Sequence, residues 1–215
     1  MDAPEDRPLR DEPGRRDVAA RRTVHHGMVW DIVRDTIDFA PGVRFDREYV
    51  HHTGAVAVLA VDERDRMLLI RQYRHPAGET LWEIPAGLLD VGGEAASAAA
   101  LRELREETGH DAQTVQTLLD FRPSPGGSDE VIRIYLVTGV RAAVEDGFVR
   151  TDEEAELEVR WAGIDEVARA VLAGDLTSGS LVAGVLALVG HRALGAPLRG
   201  RDTPWPERPG HGTDG

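Results

Sequence analysis

The chain contains no cysteine, which excludes disulfides and thiolate metal ligands. It contains no lysine either, so all 25 basic residues are arginine. Positive charge is outweighed: 38 Asp and Glu leave a net charge of −13 over 215 residues. The electrostatic footprint of a nucleic-acid binder is therefore missing. Such a chain can still hold an anionic phosphate, through local arginines or metal ions. No apolar run is long enough to span a bilayer. The N-terminus lacks the apolar stretch of a secretory signal. These absences point to a cytoplasmic protein, with neither nucleic acid nor membrane among its partners.

What is present suffices for one sizeable core, with 41% of residues apolar. Residues 1–22, rich in Pro, Asp, Glu and Arg, read as a disordered leader. Residues 200–215, with Pro204, Pro206 and Pro209, read as an irregular tail pinned by Trp205. A single domain is expected over residues 23–199. Its start, about residues 28–52, is a hairpin: strands Val29–Phe39 and Val43–His51 flank the turn Ala40-Pro41-Gly42. Ala55–Val61 and Met67–Arg71, around Asp62-Glu63-Arg64-Asp65, predict a second hairpin. Leu81–Ile84, Val115–Phe121, Val131–Val140 and Leu157–Trp161 read as strands. Glu94–Thr108 lacks Gly and Pro and reads as a helix stopped by Gly109. Ile164–Ala173 and Leu181–Leu194 read as closing helices. Mixed strands with flanking helices indicate an α/β (α+β) domain.

Glu103, Glu106 and Glu107 stand at i, i+3 and i+4, so they share one helix face. Like charges at that spacing destabilise a bare helix. A hard divalent cation turns the repulsion into binding, because Mg²⁺ favours carboxylate oxygens. The other reading is a solvated acidic face paired with Arg102 and Arg105.

The surroundings favour the metal. Gly87 is followed after six residues by Glu94, and after seven more by Arg102-Glu103-Leu104-Arg105-Glu106-Glu107-Thr108-Gly109. This segment resembles the Nudix box, with every charged position present. It departs twice. The first gap is one residue longer than usual, in the loop Asp90-Val91-Gly92-Gly93, and His110 replaces the closing apolar residue. The resemblance implies the Nudix fold, a mixed β-sheet sandwiched between helices, here with an N-terminal β-hairpin extension. It also implies a set of roles. Gly87 gives a tight backbone turn, and the Ala86 carbonyl faces the metals. Glu94 and Arg102 form a bracing ion pair. Glu103 and Glu107 are the main metal ligands, assisted by Glu106.

Substrate signals lie outside the box. Arg71-Gln72-Tyr73-Arg74-His75 and Trp82-Glu83-Ile84-Pro85-Ala86-Gly87 resemble the ADP-ribose pyrophosphatase branch, in its actinobacterial form. So does Pro125, sixteen residues past Gly109, in the loop Ser124-Pro125-Gly126-Gly127-Ser128-Asp129-Glu130. The resemblance implies Mg²⁺-dependent (or Mn²⁺-dependent) hydrolysis of ADP-ribose to AMP and ribose 5-phosphate. Arg74, whose planar fork matches phosphate oxygens, would bind substrate together with Glu83, Pro125 and Gly126; His75 is a weaker candidate. The general base would come from Asp152-Glu153-Glu154-Ala155-Glu156, with Glu154 first and Glu153 next. The branch also implies a homodimer formed through the N-terminal strands. Two alternatives stand beside this reading: a Nudix enzyme for another nucleoside diphosphate derivative, and a non-catalytic nucleotide sensor.

Overall fold

The computed structural model describes residues 9–144 and 157–205. The chain divides between His51 and His52 into two units.

The first unit is an antiparallel sheet of β1 (Asp17–His26), β2 (Asp31–Ala40) and β3 (Val43–His51), in that order. The expected hairpin is β2–β3, with Gly42 at a φ of 76° in its turn. The expected leader is shorter than residues 1–22, because Asp17 to Arg22 already belong to β1. Composition misses this strand because few of its residues are apolar. It is held by backbone pairing to β2 and by Arg21, whose Nε and Nη2 donate to the two Asp35 oxygens at 2.7 Å each. Asp35 is buried.

The second unit runs β4 (Ala55–Ala60), β5 (Arg66–Arg74), β6 (Glu79–Glu83), β7 (Ala86–Leu88), α1 (Ala96–Thr108), β8 (His110–Asp111), β9 (Thr114–Phe121), β10 (Ile132–Thr138), β11 (Arg141–Ala142), β12 (Glu158–Gly163), α2 (Ile164–Ala173), α3 (Gly179–Leu194) and β13 (Arg199–Gly200). Its main sheet has the order β13-β9-β10-β4-β7. The β4–β10 pair is parallel and the other pairs are antiparallel, so the sheet is mixed, as expected. A second sheet has the order β12-β5-β6.

Strand β4 organises the core because both of its faces are apolar. Ala55, Ala57 and Leu59 point into one cluster with Ile132 and Ile134 of β10, Val167 of α2, and Leu181, Val185 and Leu188 of α3. Val56, Val58 and Ala60 point into the other, with Ala99, Ala100 and Leu104 of α1. The main sheet thus lies between α1 on one face and α2–α3 on the other. Burying a side chain such as Leu59 or Leu104 contributes about 1.5–3 kcal/mol.

The same two-sided burial overturns the expected β4–β5 hairpin. The turn exists: Asp62 Oδ1 accepts the backbone N–H groups of Arg64 and Arg66 at 3.0 and 2.9 Å. Among the described residues, Val61–Met67 is the one β-bridge between the two arms. Beyond it, β4 takes its place between β10 and β7, and β5 pairs with β12 and β6. At the other end, Trp205 is buried, as expected of a pin. The Arg133 guanidinium lies 4.6 Å from its ring centroid and donates to the Thr203 carbonyl at 2.7 Å.

Candidate active site

The site is built where the edge strand β7 meets α1. Helix α1 starts at Ala96, two residues later than the sequence suggests, because Glu94 is used as a partner for the helix. The Arg102 fork donates to Glu94 through Nε and Nη2, at 3.2 Å each. This is the expected brace. Arg102 does more than brace, however. Its Nη1 donates to Glu103 Oε1 at 2.7 Å and to Glu106 Oε2 at 2.9 Å. One guanidinium therefore serves three carboxylates. The Glu94 hydrogen bonds, followed by the Glu103 charge, raise the Arg102 pKa well above its ordinary value. Gly109 closes the helix in the left-handed region at φ 70°, its N–H reaching the Arg105 carbonyl.

Gly87 departs from the expected role. It does not turn the chain: it sits in β7, paired with Val56 of β4. Its glycine identity is required by contact. A Cβ there would lie 2.0 Å from Glu103 Cδ and 2.1 Å from Glu103 Oε1. The missing side chain is the space the Glu103 carboxylate occupies. One residue earlier, the Ala86 N–H donates to Glu107 Oε2 at 2.9 Å, and Glu107 is buried. The strand edge thus fixes two of the three helix glutamates, one by space and one by a hydrogen bond.

These residues fit a hard divalent ion. Glu103, Glu106, Glu107 and the Ala86 carbonyl supply only oxygen donors, the set that Mg²⁺ and Mn²⁺ favour. The Gly87 cradle holds Glu103 against the strand that carries Ala86. Among the described residues no three acidic or His side chains already converge as a metal cage. Glu103 and Glu106 both face the Arg102 guanidinium.

Arg74 and Glu83, both expected at the substrate, pair with each other. Arg74 Nε and Nη2 donate to Glu83 Oε1 and Oε2 at 2.8 Å each. Glu83 is buried, while 43% of the Arg74 side chain is exposed. The pair spans β5 and β6, three residues before Ala86. Pro125 and Gly126 lie exposed in a turn closed by Gly127 and Ser128 N–H groups on the Ser124 carbonyl, at 3.0 and 2.9 Å. A Cβ at Gly126 would meet nothing within 4 Å, so the turn alone does not demand glycine there. His75 lies on the surface beside the Tyr73 hydroxyl. Glu153, Glu154 and Glu156 lie outside the described residues. His110, the departure from the box, packs edge-on against Trp161 at 5.8 Å between ring centroids, so an aromatic contact fills the usual apolar place.

Sequence reasoning missed one residue here. His52 is buried, and it binds the turn that carries Pro125 through Asp129. Its only mark in the sequence is its place two residues before Gly54.

The model of the NUDIX domain matches residues 51–181. The chain is 44% identical to an ADP-ribose pyrophosphatase of Mycobacterium tuberculosis (strain ATCC 25618 / H37Rv), over 87% of this chain and 89% of that protein. It is 36% identical to an ADP-ribose pyrophosphatase of Bacillus subtilis (strain 168), over 64% and 74%. A crystal structure of an ADP compounds hydrolase superposes with a TM-score of 0.69 at 21% identity, over 86% of this chain and 99% of that one. At that identity the likeness speaks for the fold.

Proposed function

The chain belongs to the Nudix family and is a hydrolase, and from that premise we propose that it cleaves the pyrophosphate of ADP-ribose, giving AMP and ribose 5-phosphate. The observation that carries the reading is the fit between strand and helix. Gly87 makes room for Glu103, and the Ala86 N–H fixes Glu107. That builds an oxygen-rich site at the box. ADP-ribose is favoured over other nucleoside diphosphate derivatives by the 44% identity to a protein of that name across most of both chains.

Glu103 and Glu107, with Glu106 and the Ala86 carbonyl, would hold Mg²⁺ or Mn²⁺. A bound ion would neutralise the pyrophosphate and acidify the attacking water. The reaction is attack of a water oxygen on one phosphorus, with rupture of the bridging P–O bond. Glu154 accepts the proton of that water as general base. Arg74 presents its guanidinium to phosphate oxygens, and Glu83 holds that guanidinium by both of its oxygens. The turn at Pro125 and Gly126 lies against the substrate.

The first unit supports a homodimer. Its sheet and flanking turns expose Val29, Trp30, Phe39 and Val43, apolar groups of the kind that mark association surfaces. Sedimentation should give twice 23.5 kDa. The substrate is tested by a hydrolysis panel of ADP-ribose, NADH, ADP-glucose, GDP-mannose and diadenosine polyphosphates, with Mg²⁺ and with Mn²⁺. ADP-ribose should give the highest kcat/KM. A higher value for any other member would replace it.

A further inference from the structure

The His52 side chain is only 5% exposed and has no part in the hydrolysis described above. Its imidazole Nδ1 accepts the Gly54 N–H at 3.0 Å. A nitrogen that accepts carries no proton, so the neutral ring holds its proton on Nε2. Nε2 faces Glu130 Oε1 at 3.6 Å. The His52 backbone N–H donates to Asp129 Oδ1 at 2.8 Å. One residue thus meets two consecutive carboxylates of the turn that carries Pro125 and Gly126, once through its backbone and once through its ring.

The position of this contact in the sheet gives it consequence. Residues 52–55 lead into β4, between β10 and β7. On one side the Ala55 N–H donates to the Val131 carbonyl at 3.1 Å. On the other, the Gly54 carbonyl accepts the Leu89 N–H at 3.0 Å, just past the strand that carries Ala86 and Gly87. The segment around His52 therefore joins the 124–131 turn to the end of the strand that shapes the metal site. Inside the turn, the bonds to the Ser124 carbonyl and from Glu130 N–H to Ser128 Oγ fix its local shape. Its place relative to the sheet is held at its end by the Ala55–Val131 bond and along its length by Asp129 and Glu130, which meet His52.

We propose that His52 is a positioning residue for the substrate turn, acting through Asp129 and Glu130 and never touching the reacting atoms. The proposal rests on the reading of the 124–130 turn as substrate-binding. It differs from simple core filling in one respect: the two ring nitrogens have separate duties. Asparagine can place an acceptor near the Nδ1 position and keep the Gly54 bond. Glutamine can place an N–H near the Nε2 position and keep the approach to Glu130.

The test compares His52→Ala, His52→Asn, His52→Gln and Glu130→Ala in the full chain with Mg²⁺. His52→Ala should raise KM for ADP-ribose about tenfold, with kcat within about threefold of wild type. His52→Gln should recover most of that loss and His52→Asn should not. Glu130→Ala, which leaves the ring in place and removes the acceptor that faces Nε2, should resemble His52→Asn and serves if the His52 alanine variant fails to fold. Hydrogen–deuterium exchange supplies a readout independent of substrate. The amides of Gly127, Ser128 and residue 130 should exchange about tenfold faster in His52→Ala, His52→Asn and Glu130→Ala, while Val58 and Val137 stay protected. Unchanged exchange in all three variants, or glutamine no better than asparagine, overturns the proposal. Wild-type protein that fails to cleave ADP-ribose would refute the substrate reading, and the exchange result would still decide the role of His52.

Discussion

Gly87 and Glu103 share one volume: the carboxylate of Glu103 lies where a side chain at residue 87 would stand, with Cδ 2.0 Å from an ideal Cβ. The contact is between a strand and a helix sixteen residues apart in sequence. It makes the glycine a condition for the position of one carboxylate, independent of any turn.

Gly87→Ala should therefore damage the reaction more than the fold. The added methyl group must push Glu103 away from the strand by an ångström or more. A displacement of that size costs about 10²-fold in rate. Gly87 has no left-handed backbone to lose, so the melting temperature should shift by only a few degrees. Steady-state kinetics and thermal melting on one preparation check this. Wild-type kcat in the alanine variant would refute the role given to the contact.

The glutamates should separate metal binding from folding. Glu107→Gln keeps an oxygen to accept the Ala86 N–H and loses a negative charge. It should stay folded, lower the rate by orders of magnitude, and lose most of the thermal stabilisation that Mg²⁺ gives wild type. That stabilisation should be about 2.7 kcal/mol at a metal concentration of 100 times Kd. EDTA should abolish wild-type hydrolysis. Arg102→Ala removes a guanidinium that donates to Glu94, Glu103 and Glu106. Its melting temperature should be lower than wild type without metal, and its gain from Mg²⁺ larger. Full activity in EDTA would remove the metal from the mechanism.

In the first unit the Arg21 hydrogen bonds, opposed by burial, hold the Asp35 carboxyl below its ordinary value. A carboxyl with a lowered folded pKa contributes stability above its unfolded value, about 3.9. That contribution fades as pH falls from there through the folded value. Arg21→Ala should thus be less stable than wild type at pH 7. The difference should narrow steadily below about pH 4. Denaturant unfolding at pH 7, 4 and 3 measures it. A difference that stays constant with pH would show that Arg21 acts through packing alone.

Glu154, in the acidic run before β12, should behave as the base. Glu154→Gln should lower kcat by about 10²–10⁴-fold and leave metal-dependent thermal stabilisation intact. Glu156→Gln should change kcat little. Wild-type kcat in Glu154→Gln would move the role to Glu153 or to a helix glutamate.

The helix glutamates and the Gly109 stop were legible in the sequence because local spacing governs them, while the Glu94–Arg102 pair was implied by the resemblance to the Nudix box. Three and four residues bring side chains to one helix face, and a glycine supplies a left-handed cap. The hairpin β2–β3 was legible for the same reason, since its turn residues and strands are contiguous. Arg74 and Glu83 were both singled out as substrate residues, but nothing in one dimension says that each is the other's partner across β5 and β6.

The amino-acid sequence by itself determined the box motif, the helix that carries its glutamates and the hairpin β2–β3, the last two through short-range periodicity and turn chemistry. Only the tertiary structure decided the rest. Strand β1 forms because β2 offers it a pairing edge and Asp35 a partner for Arg21. Strands β4 and β5 part because β4 must be covered on both faces. Gly87 is a glycine because Glu103 arrives from α1 to fill its place, and His52 acquires a role because the 124–131 turn ends beside it. Each of these depends on contacts between segments distant in the chain, whose free energy appears only once the sheet has assembled.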